Sequence, residues 1–243
     1  MTNEEPLRPH DDGGSARWAH PQDLGVALGL LTALPFDRPD VHSDAAARAT
    51  LFFPLVGGLI GLVLAGSNWI LGDRLPAVLS AIVLVGLWEG ITGGEGLRTC
   101  GSLSAGRIRG RAVIVAVALF KVAALAMPAA SRPAALLFAP MLARWAMVVL
   151  AVGARDAAAP ARKLNPAITF HEFALTSVFT CAVVFTAAEA FGILLVVCVA
   201  ALALALRVLQ HRRPGGTSWP LLLASAELVE LLVLGIAGVA GHR

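Results

Sequence analysis

Leu51–Gly72, LFFPLVGGLIGLVLAGSNWILG, runs for 22 residues without a charged side chain. A helix of about 20 apolar residues crosses the hydrocarbon core of a bilayer. The stretch is therefore read as a membrane span with modest tilt. Gly57, Gly58 and Gly61 fall close together on its wall, a spacing that lets a second helix approach closely in lipid. The whole chain has the same character, with 57% hydrophobic residues, 14% charged residues and a mean hydropathy of +0.76. Soluble domains are nearer about 45–50% apolar and 25% charged. The fold class expected is all-α: one polytopic membrane bundle, with about six to seven transmembrane helices plus a short N-terminal interfacial or re-entrant helix.

Working outward, Met1–Gln22 is polar and aperiodic and reads as a disordered tail. Residues 23–243 read as a single integral membrane domain. Asp23–Phe36 is apolar but too short to span, which gives the interfacial or re-entrant helix. Further spans are expected at Leu75–Ile91, Ala112–Ala130, Pro133–Ala154 and Trp219–Ala240. Phe173–Leu206 is too long for one ordinary span and carries Glu189 at its middle. It is divided there into Phe173–Ala188 and Ala190–Leu206. That division puts the basic segments Arg98–Arg111, Arg155–Lys163 and Arg207–Arg213 on one side, which the positive-inside rule makes cytoplasmic. The net charge of +3 then needs no nucleic-acid partner. Cys100, Cys181 and Cys198 are too scattered for a disulfide framework or zinc site.

Two features bear chemistry. Thr92–Arg111, TGGEGLRTCGSLSAGRIRGR, is a glycine-rich loop whose four arginines, Arg98, Arg107, Arg109 and Arg111, follow Glu95 without another acid. Guanidinium groups bind phosphate oxygens in a bidentate fork. An ordinary basic membrane loop has the same look, so both readings stand. The second feature is charge inside spans: Glu89, Lys121, Arg144, Glu227 and Glu230. Each is costly in hydrocarbon unless it pairs or faces a polar cavity.

At these residues the chain resembles the cobalamin synthases, the adenosylcobinamide-GDP ribazoletransferases. ALGLLTALPF is similar to their "FLTRLPxP" and FFPLVGGLIG to "yFPLVGxxIG". TGGEGL stands at "TGGLHLDGLADTADG", and Ser104 and Gly110 at the ends of "SRIGTxG", before a lysine matched by Lys121. APMLARWAMV is similar to "APxLxRWxMV", with Arg155 at the "YAR" that follows. RRPGGTSWPLLLASAELVE stands at "RRxGGxTGDxLGAxxExxE". The chain departs from the acidic motifs. Glu95 stands for the first aspartate, Thr99 and Ser102 for the next two, and Ser218, Trp219 and Pro220 for "TGD".

The resemblance implies a phosphoryl transfer that joins adenosylcobinamide-GDP to α-ribazole or its 5′-phosphate with release of GMP. It implies Mg²⁺, with Glu95, Glu227 and Glu230 as the metal ligands left, and Glu95, Arg107, Arg109 and Lys121 as catalytic residues. Substrate contacts are expected from Gly93, Gly94, Gly96, Arg98, Ser104, Gly110, Arg144 and Arg155. Further expectations are a bacterial cytoplasmic membrane location with the N-terminus and site loop inside, and a complex with other cobalamin-assembly proteins. The alternative is an inactive relative that binds a corrinoid or nucleotide or partners an active enzyme.

Overall fold

The computed structural model describes residues 21–36, 44–72, 74–104, 106–127, 130–152, 170–211 and 217–240. Among these every regular element is helical: α1 (Pro21–Leu31), α2 (Asp44–Ala49) and a 3₁₀ turn leading into α3 (Phe53–Gly72). Then follow α4 (Ala77–Thr92), α5 (Glu95–Leu103), α6 (Arg107–Ala126), α7 (Arg132–Ala151), α8 (Phe170–His211) and α9 (Trp219–Ala240). The all-α membrane bundle expected from composition is the fold observed.

α7 is the central helix. Of its most apolar stretch 83% is buried within the protein, against 28% for α8, which leaves α8 to face lipid. α7 packs against α3, α8 and α9. The α3 contact rests on the glycines of the first span. A Cβ on Gly57 would overlap the Pro140 carbonyl oxygen, and one on Gly61 that of Leu137. Gly58, by contrast, meets only the Met141 sulfur at 3.7 Å. Without a hydrophobic drive between helices in lipid, such close backbone contact supplies the van der Waals attraction.

Among the described residues four helices are long and apolar enough to cross a membrane: α3 with its preceding turn, α7, α8 and α9. A fifth is added if α4 and α5 form one broken span. This is fewer than the six to seven expected, for two physical reasons. α8 is not straight, because Glu189 at its middle has φ 46° and ψ −127°. A Cβ on Gly192 would lie 2.5 Å from the Val184 carbonyl oxygen. Eight residues of straight helix span about 12 Å, so the chain must double back at Glu189, as its placement between two spans implies. α6, for its part, carries Arg109, Arg111 and Lys121 in its last 18 residues, which lowers its apolarity. Separating the arms of α8 and admitting α6 brings the number to seven.

α1 is too short to span and instead turns inward. It buries Ala27, Leu30 and Leu31, and Asp23 pairs with Arg48 at 3.2 Å. Past its end, the Ala33 N–H donates to the Ile91 carbonyl at 2.7 Å, tying this segment to the end of α4. Of the tail expected over Met1–Gln22, residues 1–20 lie outside the described set.

Gly61→Ala is expected to destabilise the protein by about 1–3 kcal/mol, since backbone atoms of α7 must shift to admit the methyl group. Gly66→Ala, with nothing within 4 Å of the added carbon, should be neutral. Reversible denaturant unfolding in mixed micelles measures both.

Candidate functional site

The segment expected as a loop is mostly helix. α4 stops at Thr92, Gly93 and Gly94 turn the chain with φ 69° and 63°, and α5 leaves at 86° to α4. Positive φ at two consecutive residues is what demands glycine here. The remaining glycines serve close approach instead. Gly101 of α5 and Gly110 of α6 meet backbone to backbone. A Cβ on Gly96 would lie 2.5 Å from Glu227 Oε2. The segment therefore forms a helical hairpin, α5–α6, rather than an open loop.

Beside the glycine turn lies a buried ionic cluster. The Lys121 ammonium, fully buried, is 2.8 Å from Glu89 Oε1, 2.5 Å from Glu227 Oε1 and 2.8 Å from Glu230 Oε2. Three carboxylate oxygens thus surround a group with three N–H donors. The ammonium also sits 4.8 Å from the centroid of the Trp88 ring, a cation–π contact strengthened by burial. Glu230 Oε1 accepts from Arg144 Nη1. Glu227 and Glu230 share one face of α9 because three residues make nearly one turn. The cluster so joins α4, α6, α7 and α9.

Its depth follows from helix rise. Glu227 lies eight residues from the start of α9 and Arg144 seven from the end of α7, about 10–12 Å inside those ends. α4 ends at the same level. A break in a helix at membrane depth is tolerated where protein covers it or where it borders a cavity. Both hold here, since α1's end hydrogen-bonds the last turn of α4 and a cavity adjoins the turn. That cavity, about 20 Å³, is lined by Leu30, Leu31, Thr92, Glu95, Gly96, Arg144, Leu223, Ala226, Glu227 and Glu230. It has room for about one water molecule. The buried Nε of Arg144 has no hydrogen-bond partner among the described residues. The first turn of α5 has no side-chain cap, so its N–H groups give this end a partial positive charge beside Glu227.

The structure thus gathers Glu95, Gly96, Arg144, Glu227 and Glu230 around one cavity, with Lys121 behind the carboxylates and Gly93 and Gly94 at the turn. It does not bring the other arginines there. Arg107 and Arg109 are exposed in the first turn of α6, about 18–21 Å along the helix from Lys121. Arg98 is exposed on α5. Ser104 donates to the Cys100 carbonyl at 3.2 Å and so closes α5. Arg155 lies outside the described residues. Glu89 and Thr92 join the site although the sequence reading did not place them in it. For Glu89 the available signal was the cost of a carboxylate in a span, and Thr92 opens the glycine-rich stretch singled out in the sequence; for Trp88 the sequence carries none.

Among the described residues no group of three or more His, Cys, Asp or Glu side chains is arranged to hold a metal ion. The space between the three carboxylates is filled by the Lys121 ammonium, and Glu230 is held on both oxygens by cations. The Mg²⁺ expected from the resemblance does not fit the residues as they stand.

The sequence matches the family described as Cobalamin-5-phosphate synthase over residues 23–97 and 108–238. The chain belongs to the cobalamin-5-phosphate synthase family. The match takes in every residue of the cluster and omits 98–107, the tip of the α5–α6 hairpin. Among relatives, the adenosylcobinamide-GDP ribazoletransferase of Pseudomonas paraeruginosa (strain DSM 24068 / PA7) is 35% identical over 238 residues, 88% of this chain and 96% of that protein. That of Syntrophobacter fumaroxidans is 30% identical over 247 residues, 90% of this chain and 98% of the relative. That of Pseudomonas aeruginosa is 33% identical, with 88% and 96% covered. No solved structure matches the chain.

Lys121→Met would leave three carboxylates buried without their common partner. Breaking one buried pair costs about 3–5 kcal/mol, and a loss at least that large is expected for this substitution. Arg107→Gln, on an exposed turn, should leave the midpoint unchanged in the same micellar unfolding measurement.

Proposed function

We propose that the protein is an adenosylcobinamide-GDP ribazoletransferase acting at the cavity beside the glycine turn. The observation that carries this reading is the family match along nearly the whole chain, which includes all five charged members of the cluster. The substrates are adenosylcobinamide-GDP and α-ribazole or its 5′-phosphate. The hydroxyl oxygen of the ribazole attacks the phosphorus attached to cobinamide. The P–O bond to GMP breaks, GMP leaves with the electron pair, and the hydroxyl proton passes to a carboxylate. Glu95, in the first turn of α5 and on the cavity wall, is the carboxylate assigned to receive it.

Each remaining residue has a role that its surroundings support. Arg144 gives one donor to Glu230 and keeps others for phosphate oxygens. The start of α5 borders the same space, and the positive end of its helix dipole favours an anion there. Lys121, surrounded by three carboxylates, positions Glu227 and Glu230 rather than touching substrate. Three carboxylates against two cations leave one negative charge in excess. A proton on one carboxylate, or a cation arriving with the phosphate, offsets it. No step is assigned to a resident metal. Leu30 and Leu31 at the end of α1 must move aside to admit the phosphate linkage, because the cavity holds no more than about one water.

The multi-pass chain sits in the bacterial cytoplasmic membrane with its N-terminus and this site toward the cytoplasm. The basic segments Arg98–Arg111, Arg155–Lys163 and Arg207–Arg213 support that orientation. A complex with other cobalamin-assembly proteins is part of the same reading. An inactive binding role is not favoured by relatives that match from end to end.

The test is GMP release by the bilayer-embedded protein supplied with adenosylcobinamide-GDP, α-ribazole and Mg²⁺. Glu95→Gln should lower kcat by about 10²-fold or more, as expected for loss of a general base, with little change in thermal stability. Wild-type protein that binds adenosylcobinamide-GDP but releases no GMP would overturn the reading.

A further inference from the structure

The tip of the α5–α6 hairpin carries surface that the transfer site does not use. Arg98, Arg107, Arg109 and Arg111 are all exposed. Between them Leu103 is 52% and Ile108 86% exposed. No acidic residue occurs in the sequence from Gly96 to Arg111. An isoleucine this bare, set between two arginines, is poorly suited to open water and equally poorly to the hydrocarbon core. A headgroup layer suits both at once: phosphates for the guanidinium groups and the upper acyl region for the apolar side chains.

α6 starts at Arg107, about 21 Å along the helix from the buried Lys121, so the end of the hairpin stands well outside the level of the cluster. The arginines stand about 18–21 Å along α6 from the buried cluster in the case of Arg109 and Arg107, away from the cavity. The family match lapses over 98–107 while every residue of the cluster lies inside it. Arg98, Leu103 and Arg107 thus fall outside the family match, while Ile108, Arg109 and Arg111 lie at its resumption.

We propose that Arg98, Arg107, Arg109 and Arg111, with Leu103 and Ile108, form a docking surface for anionic phospholipid headgroups in the leaflet on the site's side. Charge complementarity selects the partner: a cluster of four exposed arginines beside a membrane meets anionic lipid phosphates. The lipid holds the end of the hairpin and so steadies α5, whose start borders the cavity.

The protein is reconstituted in nanodiscs of phosphatidylcholine alone or with phosphatidylglycerol, and its thermal midpoint and hydrogen exchange are measured. Phosphatidylglycerol should raise the midpoint and protect residues 103–109 in the wild type. The combined variant R98Q/R107Q/R109Q/R111Q should lose at least half of that shift, while R98K/R107K/R109K/R111K should retain most of it. Hydrogen exchange on the wild type decides the matter even where the glutamine variant folds poorly. Equal protection in both lipids overturns the proposal. So does an equal effect of inorganic phosphate in phosphatidylcholine discs, or a raised KM for adenosylcobinamide-GDP in the glutamine variant with its lipid response intact.

Discussion

A lysine ammonium without access to water must be neutralised where it stands, and Lys121 meets this demand with carboxylates from two other helices. Glu89 comes from α4, Glu227 and Glu230 from α9, and Arg144 of α7 holds the far oxygen of Glu230. Desolvation makes each of these groups expensive alone. Together they tie four helices at one level, about 10–12 Å inside the ends of α7 and α9. The asymmetry of buried ion pairs matters more than their net worth: the set is tolerable when complete and severe when one member is lost.

The broken helix depends on the same cluster. α4 can end inside the bundle because Gly93 and Gly94 take conformations closed to most residues, and because the Ala33 N–H covers the Ile91 carbonyl. α5 can lie against α9 because Gly96 leaves room for the Glu227 carboxylate. The turn therefore presents a helix N-terminus, a carboxylate and a guanidinium to one small cavity. Such an arrangement suits the phosphate linkage within one large substrate, since only that linkage and the attacking hydroxyl must enter. The corrinoid and nucleotide can remain at its mouth.

Much of the fold was legible in the residues. The uncharged run from Leu51, the glycines at 57 and 61, and the acid at Glu189 each stated a physical demand that the structure meets. Trp219–Ala240 was read to the residue. The arginine-bearing segment was less legible: glycines at 96, 101 and 110 read as parts of a loop, whereas they permit close packing between helices. The span at α6 was legible in spite of its cations, because a helix lined by neighbours need not be apolar all round. At the site, the cost of buried charge singled out Lys121, Arg144, Glu227 and Glu230. Glu89 carried the same cost in its span; what no periodicity reveals is which helix supplies the partner, and Trp88 gained its place only in three dimensions. Arg107 and Arg109, adjacent in sequence to the glycine turn, stand far from it because α6 continues straight for about 21 Å.

The most direct test of where the chemistry occurs is photo-crosslinking with the complete, membrane-embedded protein. A photoreactive amino acid is placed at Thr92 on the cavity wall or at Arg109 on the hairpin tip, and each protein is irradiated with adenosylcobinamide-GDP. The account predicts corrinoid attached at position 92 and little at 109. Attachment at 109 with none at 92 would move the site to the arginines and contradict the assignment of the cavity.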